Sequence, residues 1–342
     1  MFRGRNYIIL LLLLLASIGL RFQNQPSMWG GDIARDYLVA NHIYKYQEFP
    51  FVGHSSTGLG FYYPPYYFYT LSFLMHISNN YFFILSIYSF LSAFSILLIY
   101  KIAQLWFSNR VGLLAALFGT FSSSLIYMGR SSWSVHIIVP FFLFSLLFFS
   151  LHIINHKFKY LLISLVILIL ASFIHYSAFP YIFLFSIIST AVRYISLKVA
   201  ILTMIFILSF FFLAQIPLVL SFDMNTILAA FSLHNIFQLP DNIIVKFIDN
   251  LCLLFEDTNI FGIYNLTVNV TISFLIAILT LKKRTSKFKK LFLFFILIFF
   301  LPLIGSFKKG DNFQWYYLIS LPLVFIIYAY MILHLLFQEE YF

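Results

Sequence analysis

Asp32, Arg35 and Asp36 put two carboxylates and a guanidinium within five residues, directly after Gly30-Gly31. A carboxylate can take a proton from a hydroxyl, and a guanidinium can grip a phosphate through paired N–H groups. The two glycines let the backbone turn, and Asp32 is suited to start a helix there. Ile33, Tyr37, Ala40 and Tyr44 recur at spacings of four, three and four, which places them on one helical face. Asp32, Arg35 and Asp36 fall on a neighbouring arc, and the helix ends before Pro50. Plainer readings stand beside the chemical one. Asp32 is also a good N-cap, and Arg35 is also a partner for Asp36 or for a lipid phosphate.

Downstream lies a small polar loop, Gly53 to Gly60, containing His54. It can hydrogen-bond hydroxyls, but it lacks the Gly-x4-Gly-Lys arrangement of a phosphate loop. Tyr62-Tyr63-Pro64-Pro65-Tyr66-Tyr67 follows. A proline suits the first turn of a new helix, and the rings beside it suit either a sugar face or an interfacial aromatic belt. Arg130, near Trp133, is a further cation, with membrane snorkelling as its plain reading. His175-Tyr176 ends an apolar segment and is a weaker candidate, as is Lys308-Lys309-Gly310-Asp311 beside Trp315.

The elements that must position these groups are membrane helices. Hydrophobic residues make up 62% of 342 positions and charged residues 9%, which excludes a soluble domain. Apolar runs long enough to cross a bilayer recur along the chain, without the short alternating segments of a barrel. The reading is an all-α polytopic protein, residues 1–342 forming one integral membrane domain of about ten transmembrane helices. The first span is uncleaved, with no A-x-A-like site after it. Further spans lie near 80–105, 111–128, 134–153, 160–174, 179–193, 199–221, 263–281, 291–305 and 316–336. Two outer segments are long: 24–79, with juxtamembrane helices on the outer face, and 222–262.

With the N-terminus in the cytoplasm, fourteen of twenty-one basic residues fall inside, including Lys282 to Lys290, as the positive-inside rule requires. Nine of eleven acids fall outside. Acids contribute little to orientation, so their clustering suggests chemistry at the outer face. The net charge of +10 is read as topology, with no nucleic-acid partner. Cys252 is the lone cysteine and forms no internal disulfide.

The order of one span, an Asp-x-x-Arg surface helix, a loop, and aromatic-Pro-Pro-Tyr-Tyr opening a second helix resembles the polyprenyl-phosphate-sugar-dependent glycosyltransferases of the GT-C fold. The branch it resembles is that of bacterial family 39-type mannosyltransferases and lipid A aminoarabinose transferases. Tyr127-Met-Gly-Arg-Ser-Ser-Trp133, Phe173-Ile-His-Tyr176 and Gln314-Trp-Tyr-Tyr-Leu-Ile-Ser-Leu-Pro322 echo it more faintly. The resemblance implies a GT-C-like bundle in a plasma (inner) membrane with an extracytoplasmic active site. Asp32 would be the base and Arg35 the ligand of the lipid phosphate. Two departures matter. Ile33 stands where many members carry a second acid, and Tyr63 where many carry a lysine or histidine. Arg130, Lys308 and Lys309 are the cations that would compensate.

The expected donor is a polyprenyl-phosphate-linked sugar and the acceptor a hydroxyl of a glycan, lipid or protein. One base without a nucleophilic carboxylate implies single displacement with inversion. Asp36 is expected to orient Arg35, and His54, Tyr63, Tyr66, His175, Tyr176 and Trp315 to contact substrate. No metal ligand set is assigned, and the requirement for a divalent metal stays open. Two other classes compete: an envelope polysaccharide polymerase or ligase, and a lipid-linked sugar transporter or flippase. The transporter would want charges or broken helices at the midplane.

Overall fold

The computed structural model describes residues 2–22, 30–53, 63–191, 195–214, 216, 294, 296–298 and 321–337. They form eleven α-helices: α1 (Phe2–Arg21), α2 (Gly31–Tyr46), α3 (Tyr66–Ile77), α4 (Tyr81–Trp106), α5 (Asn109–Phe121), α6 (Ser123–Gly129), α7 (Ser134–Asn155), α8 (Phe158–Ile174), α9 (Phe179–Ala191), α10 (Leu197–Ala214) and α11 (Leu321–Phe337). A 3-10 turn, Tyr176–Ala178, joins α8 to α9. Among the described residues α4 and α7 are long and apolar enough to cross a membrane, and α1 and α8 to α11 contain shorter apolar stretches. The expected spans at 263–281 and most of 291–305, and the outer segment 222–262, lie outside the described residues.

The helices divide into two compact units. One holds α1, α4 from Ser89 onward, α5, α6 and α11; the other holds α2, α3, the start of α4 and α7 to α10.

In the first unit, α1 packs on α5 and α6, and α11 packs on α5. The segment expected as one span, 111–128, is two helices. Ser122 takes an extended conformation (ψ 119°) between them, and its hydroxyl caps α6 by accepting from the Leu125 N–H at 3.2 Å. The break leaves the last carbonyls of α5 without intrahelical partners. Arg21, fully buried, donates to two of them: Gly119 at 3.0 Å and Thr120 at 3.4 Å. It also donates to the hydroxyls of Ser17 at 2.7 Å and Ser92 at 3.2 Å. A buried cation is tolerated there because helix C-termini carry partial negative charge. Gly129 matters to this packing, since a Cβ would lie 2.8 Å from Arg21 Cδ and 2.7 Å from Ser92 Oγ.

In the second unit, α7 and α8 form a hairpin turned by His156, which adopts the left-handed conformation (φ 56°). Ser145 and Ser164 hydrogen-bond across the pair at 2.8 Å, the small-residue contact that lets apolar helices approach. Phe149 stacks on Phe185 of α9 at 4.0 Å. α2 packs on α3, and α3 touches α8.

Candidate active site

α2 begins one residue before Asp32, with Gly30 in the cap position. Asp32 is therefore in the first turn and is not the N-cap, a placement in which its charge still favours the helix N-terminus. The buried face differs from the expected one. Ile33, Asp36, Ala40 and Ile43 are buried, whereas Tyr37 and Tyr44 are half-exposed. Asp36 falls on the inward arc because it lies three residues after Ile33 and four before Ala40. Arg35 and Asp32 stay at the edge, with side chains 37% and 53% exposed.

Arg35 bridges the two acids. Its Nε and Nη2 donate to Asp36 Oδ1 at 3.0 and 2.7 Å, and its Nη1 donates to Asp32 Oδ1 at 2.8 Å. Burial pushes the Asp36 carboxyl up to about 6, against the pull of the Arg35 charge. A guanidinium has five N–H groups, and these contacts employ three. All three guanidinium nitrogens are thus engaged, while the side chain remains 37% exposed.

Below Asp36 lies a buried phenol network that the sequence reading missed. The Tyr67 hydroxyl donates to the Ser132 carbonyl and shares a hydrogen bond with Tyr88. The Tyr81 and Ser132 hydroxyls meet at 3.2 Å. Burial raises the Tyr67 phenol well above its usual range, and the nearby Tyr88 and Asp36 add to this. The signal was present: from Pro65 onward, Tyr67, Phe68, Leu71, Ser72 and Met75 follow helical spacing, and all five are buried.

A second cluster joins Tyr63, His175 and Tyr176. Tyr63 is buried, its ring 4.8 Å from Tyr176 in a stacked arrangement, its hydroxyl 3.1 Å from His175 Nε2. His175 Nδ1 accepts from the Ser177 backbone N–H at 3.3 Å. In the neutral ring this leaves the proton on Nε2, directed at Tyr63. One face of the Tyr63 ring is covered by Tyr176, which ties the start of α3 to the end of α8. Tyr66 is half-exposed and lies against Phe173 at 5.1 Å. Gly53 completes the tie by donating its N–H to the Tyr63 carbonyl at 2.8 Å. A Cβ there would sit 2.5 Å from that carbonyl oxygen, so only glycine fits.

Arg130 belongs to the first unit, where its Nε and Nη2 donate to the Leu20 carbonyl at 3.0 and 2.7 Å. His54, Lys308, Lys309 and Trp315 lie outside the described residues. The structure therefore brings together Asp32, Arg35 and Asp36 on α2, and Tyr63, His175 and Tyr176 behind α3. Among the described residues no group of three or more His, Cys, Asp or Glu side chains forms a metal-binding cluster.

Residues 63–215 match the family model described as dolichyl-phosphate-mannose-protein mannosyltransferase. The match begins at Tyr63 and runs through the Tyr67 network, Arg130 and the His175 cluster, whereas Asp32, Arg35 and Asp36 precede it. No curated protein matches the chain. Over that segment the chain is similar to mannosyltransferases, and two of the described helices are long and apolar enough to cross a membrane.

Proposed function

We propose that the protein is a membrane glycosyltransferase that moves a sugar from a polyprenyl-phosphate donor to an acceptor hydroxyl at the extracytoplasmic face. The observation that carries this reading is the half-exposed guanidinium of Arg35 held between two carboxylates on α2, next to a segment similar to mannosyltransferases.

As the glycosidic bond breaks, negative charge builds on the phosphate of the departing lipid carrier. A guanidinium fixed beforehand by Asp36 meets that charge with little reorganisation. Asp32 takes the proton of the acceptor hydroxyl as its oxygen attacks the anomeric carbon. Its exposed position suits that task, since the incoming hydroxyl arrives from water or from the headgroup layer. Asp36 is buried and engaged with Arg35, which makes it an orienting group. One exposed base implies attack from the face opposite the phosphate, and so inversion.

The test is an in vitro transfer assay with the full chain in lipid, using a panel of radiolabelled polyprenyl-phosphate sugars and envelope extract. Asp32→Asn is expected to lower the transfer rate by about a hundredfold or more, as loss of a general base does. Transfer by this variant at the wild-type rate would remove Asp32 from the mechanism.

A further inference from the structure

A pocket opens on α2 beyond the acidic pair. It is lined by Val39, His42, Ile43, Glu48, Phe49 and Pro50, with a volume of about 280 Å³. His42 Nε2 and Glu48 Oε2 meet at 2.8 Å on its polar side. The Phe49 ring stands 53% exposed on the other. The far wall is fixed in three ways. Gln47 caps α2 in the left-handed conformation (φ 58°), which turns the chain back along the helix. The Tyr69 hydroxyl donates to the Pro50 carbonyl. Phe49 packs edge-on against Tyr69 at 5.5 Å. A non-glycine residue held at positive φ is uncommon, and here it supports a wall that Tyr69 pins from α3.

We infer that this pocket is a saccharide subsite for the acceptor, a reading that rests on the proposed glycosyl transfer. The chemistry of the lining fits a pyranose. Glu48 accepts from ring hydroxyls, His42 supplies a neighbouring donor or acceptor, and an exposed phenyl face suits the apolar C–H face of a sugar. The volume lies just under the range of about 300–1,000 Å³ usual for small-molecule clefts, which admits one ring rather than a lipid tail. The placement ties the pocket to the acidic pair. Asp32, Arg35, Val39 and His42 follow one another at spacings of three, four and three, so they form one stripe along α2. Asp32 and Val39 are about 10 Å apart along the axis at 1.5 Å per residue. An acceptor that fills the pocket and also reaches Asp32 is therefore longer than one sugar: an oligosaccharide or a glycan chain.

Saturation-transfer NMR on the full chain in nanodiscs, with methyl α-D-mannopyranoside, methyl β-D-glucopyranoside and methyl α-D-galactopyranoside as probes, tests the subsite directly. At least one pyranoside is expected to show saturation. Glu48→Gln and Phe49→Leu are each expected to weaken it about three- to tenfold, the effect of losing one hydroxyl bond or one ring face. Phe49→Tyr keeps the ring and should keep the signal, which controls for folding. Absence of saturation from every probe, or full saturation in both weakening variants, overturns the subsite. The binding readout does not need turnover. Lost saturation with Asp32-dependent transfer intact sinks only the subsite, and intact saturation with Asp32→Asn fully active sinks only the base assignment.

Discussion

Asp36 is the residue whose environment says most about α2. Burial holds its carboxyl at about 6, above the ordinary 3.8. The folded state therefore binds this proton more tightly than the unfolded chain. Its favourable contribution is full below about pH 4 and is lost as pH rises through about 6. The two values correspond to about 3 kcal/mol between those limits. Thermal unfolding of the full chain between pH 4 and 7 should show a decline in stability that Asp36→Asn removes; an unchanged slope in the variant would contradict this origin. The orienting role has a separate consequence at Arg35. Arg35→Lys retains a charge but cannot present two N–H groups to Asp36 and a third to Asp32. It is expected to raise the donor KM nearly as much as Arg35→Ala, about tenfold or more, as for a lost charge-assisted contact. Lysine rescue of donor binding would show that charge alone suffices.

At the scale of elements, each of the two units has one joint that depends on a single residue. Gly53 lets the 51–53 segment lie against the start of α3, where its N–H bonds the Tyr63 carbonyl. Gly53→Ala forces a backbone shift, because the added Cβ meets the carbonyl oxygens of Tyr63 and Pro64 at 2.5 and 2.7 Å. A loss of about 1–3 kcal/mol in unfolding stability is expected, the usual effect of overpacking. The break between α5 and α6 depends on Arg21. Arg21→Ala strips donors from the Gly119 and Thr120 carbonyls in a buried setting, and a loss of about 2–4 kcal/mol is expected from the uncompensated groups. Lys101→Ala, at an exposed position on α4, serves as the comparison and should be within about 0.5 kcal/mol of wild type. Equal effects at Arg21 and Lys101 would show that the clamp carries no weight.

For the molecule as a whole, the proposed orientation puts the α2 pocket outside and the basic run Lys282 to Lys290 inside. This is checkable in intact cells after Cys252→Ser. A membrane-impermeant maleimide should label Glu48→Cys without permeabilisation and label Lys283→Cys only after it. The reverse pattern would place the acidic pair in the cytosol and remove the donor chemistry proposed for it.

Much of this was legible in the chain because membrane burial leaves strong traces. Long apolar runs, the scarcity of charge and the asymmetry of lysine and arginine are one-dimensional signals, and they point to an all-helical membrane protein. Local signals also sufficed for α2 and α3. Glycine before Asp32 and proline before Tyr66 start helices for backbone reasons that need no tertiary partner. The pairing of Arg35 with Asp32 and Asp36 follows from helical spacing and adjacency. Other features depended on packing. Which arc of α2 turns inward was settled by α3 and by the Tyr67–Tyr88 pair beneath it, and this buried Asp36 in place of Tyr37. Arg21 has no local pattern that gives away its role, since the α5 carbonyls it bonds lie ninety-eight and ninety-nine residues away. Tyr63 stacks on Tyr176, a partner more than a hundred residues away that no local pattern points to. Sequence fixes what a segment can be through local torsions and periodicity, whereas the fate of a single polar group depends on which distant groups share its desolvated space. That is a property of the folded chain alone.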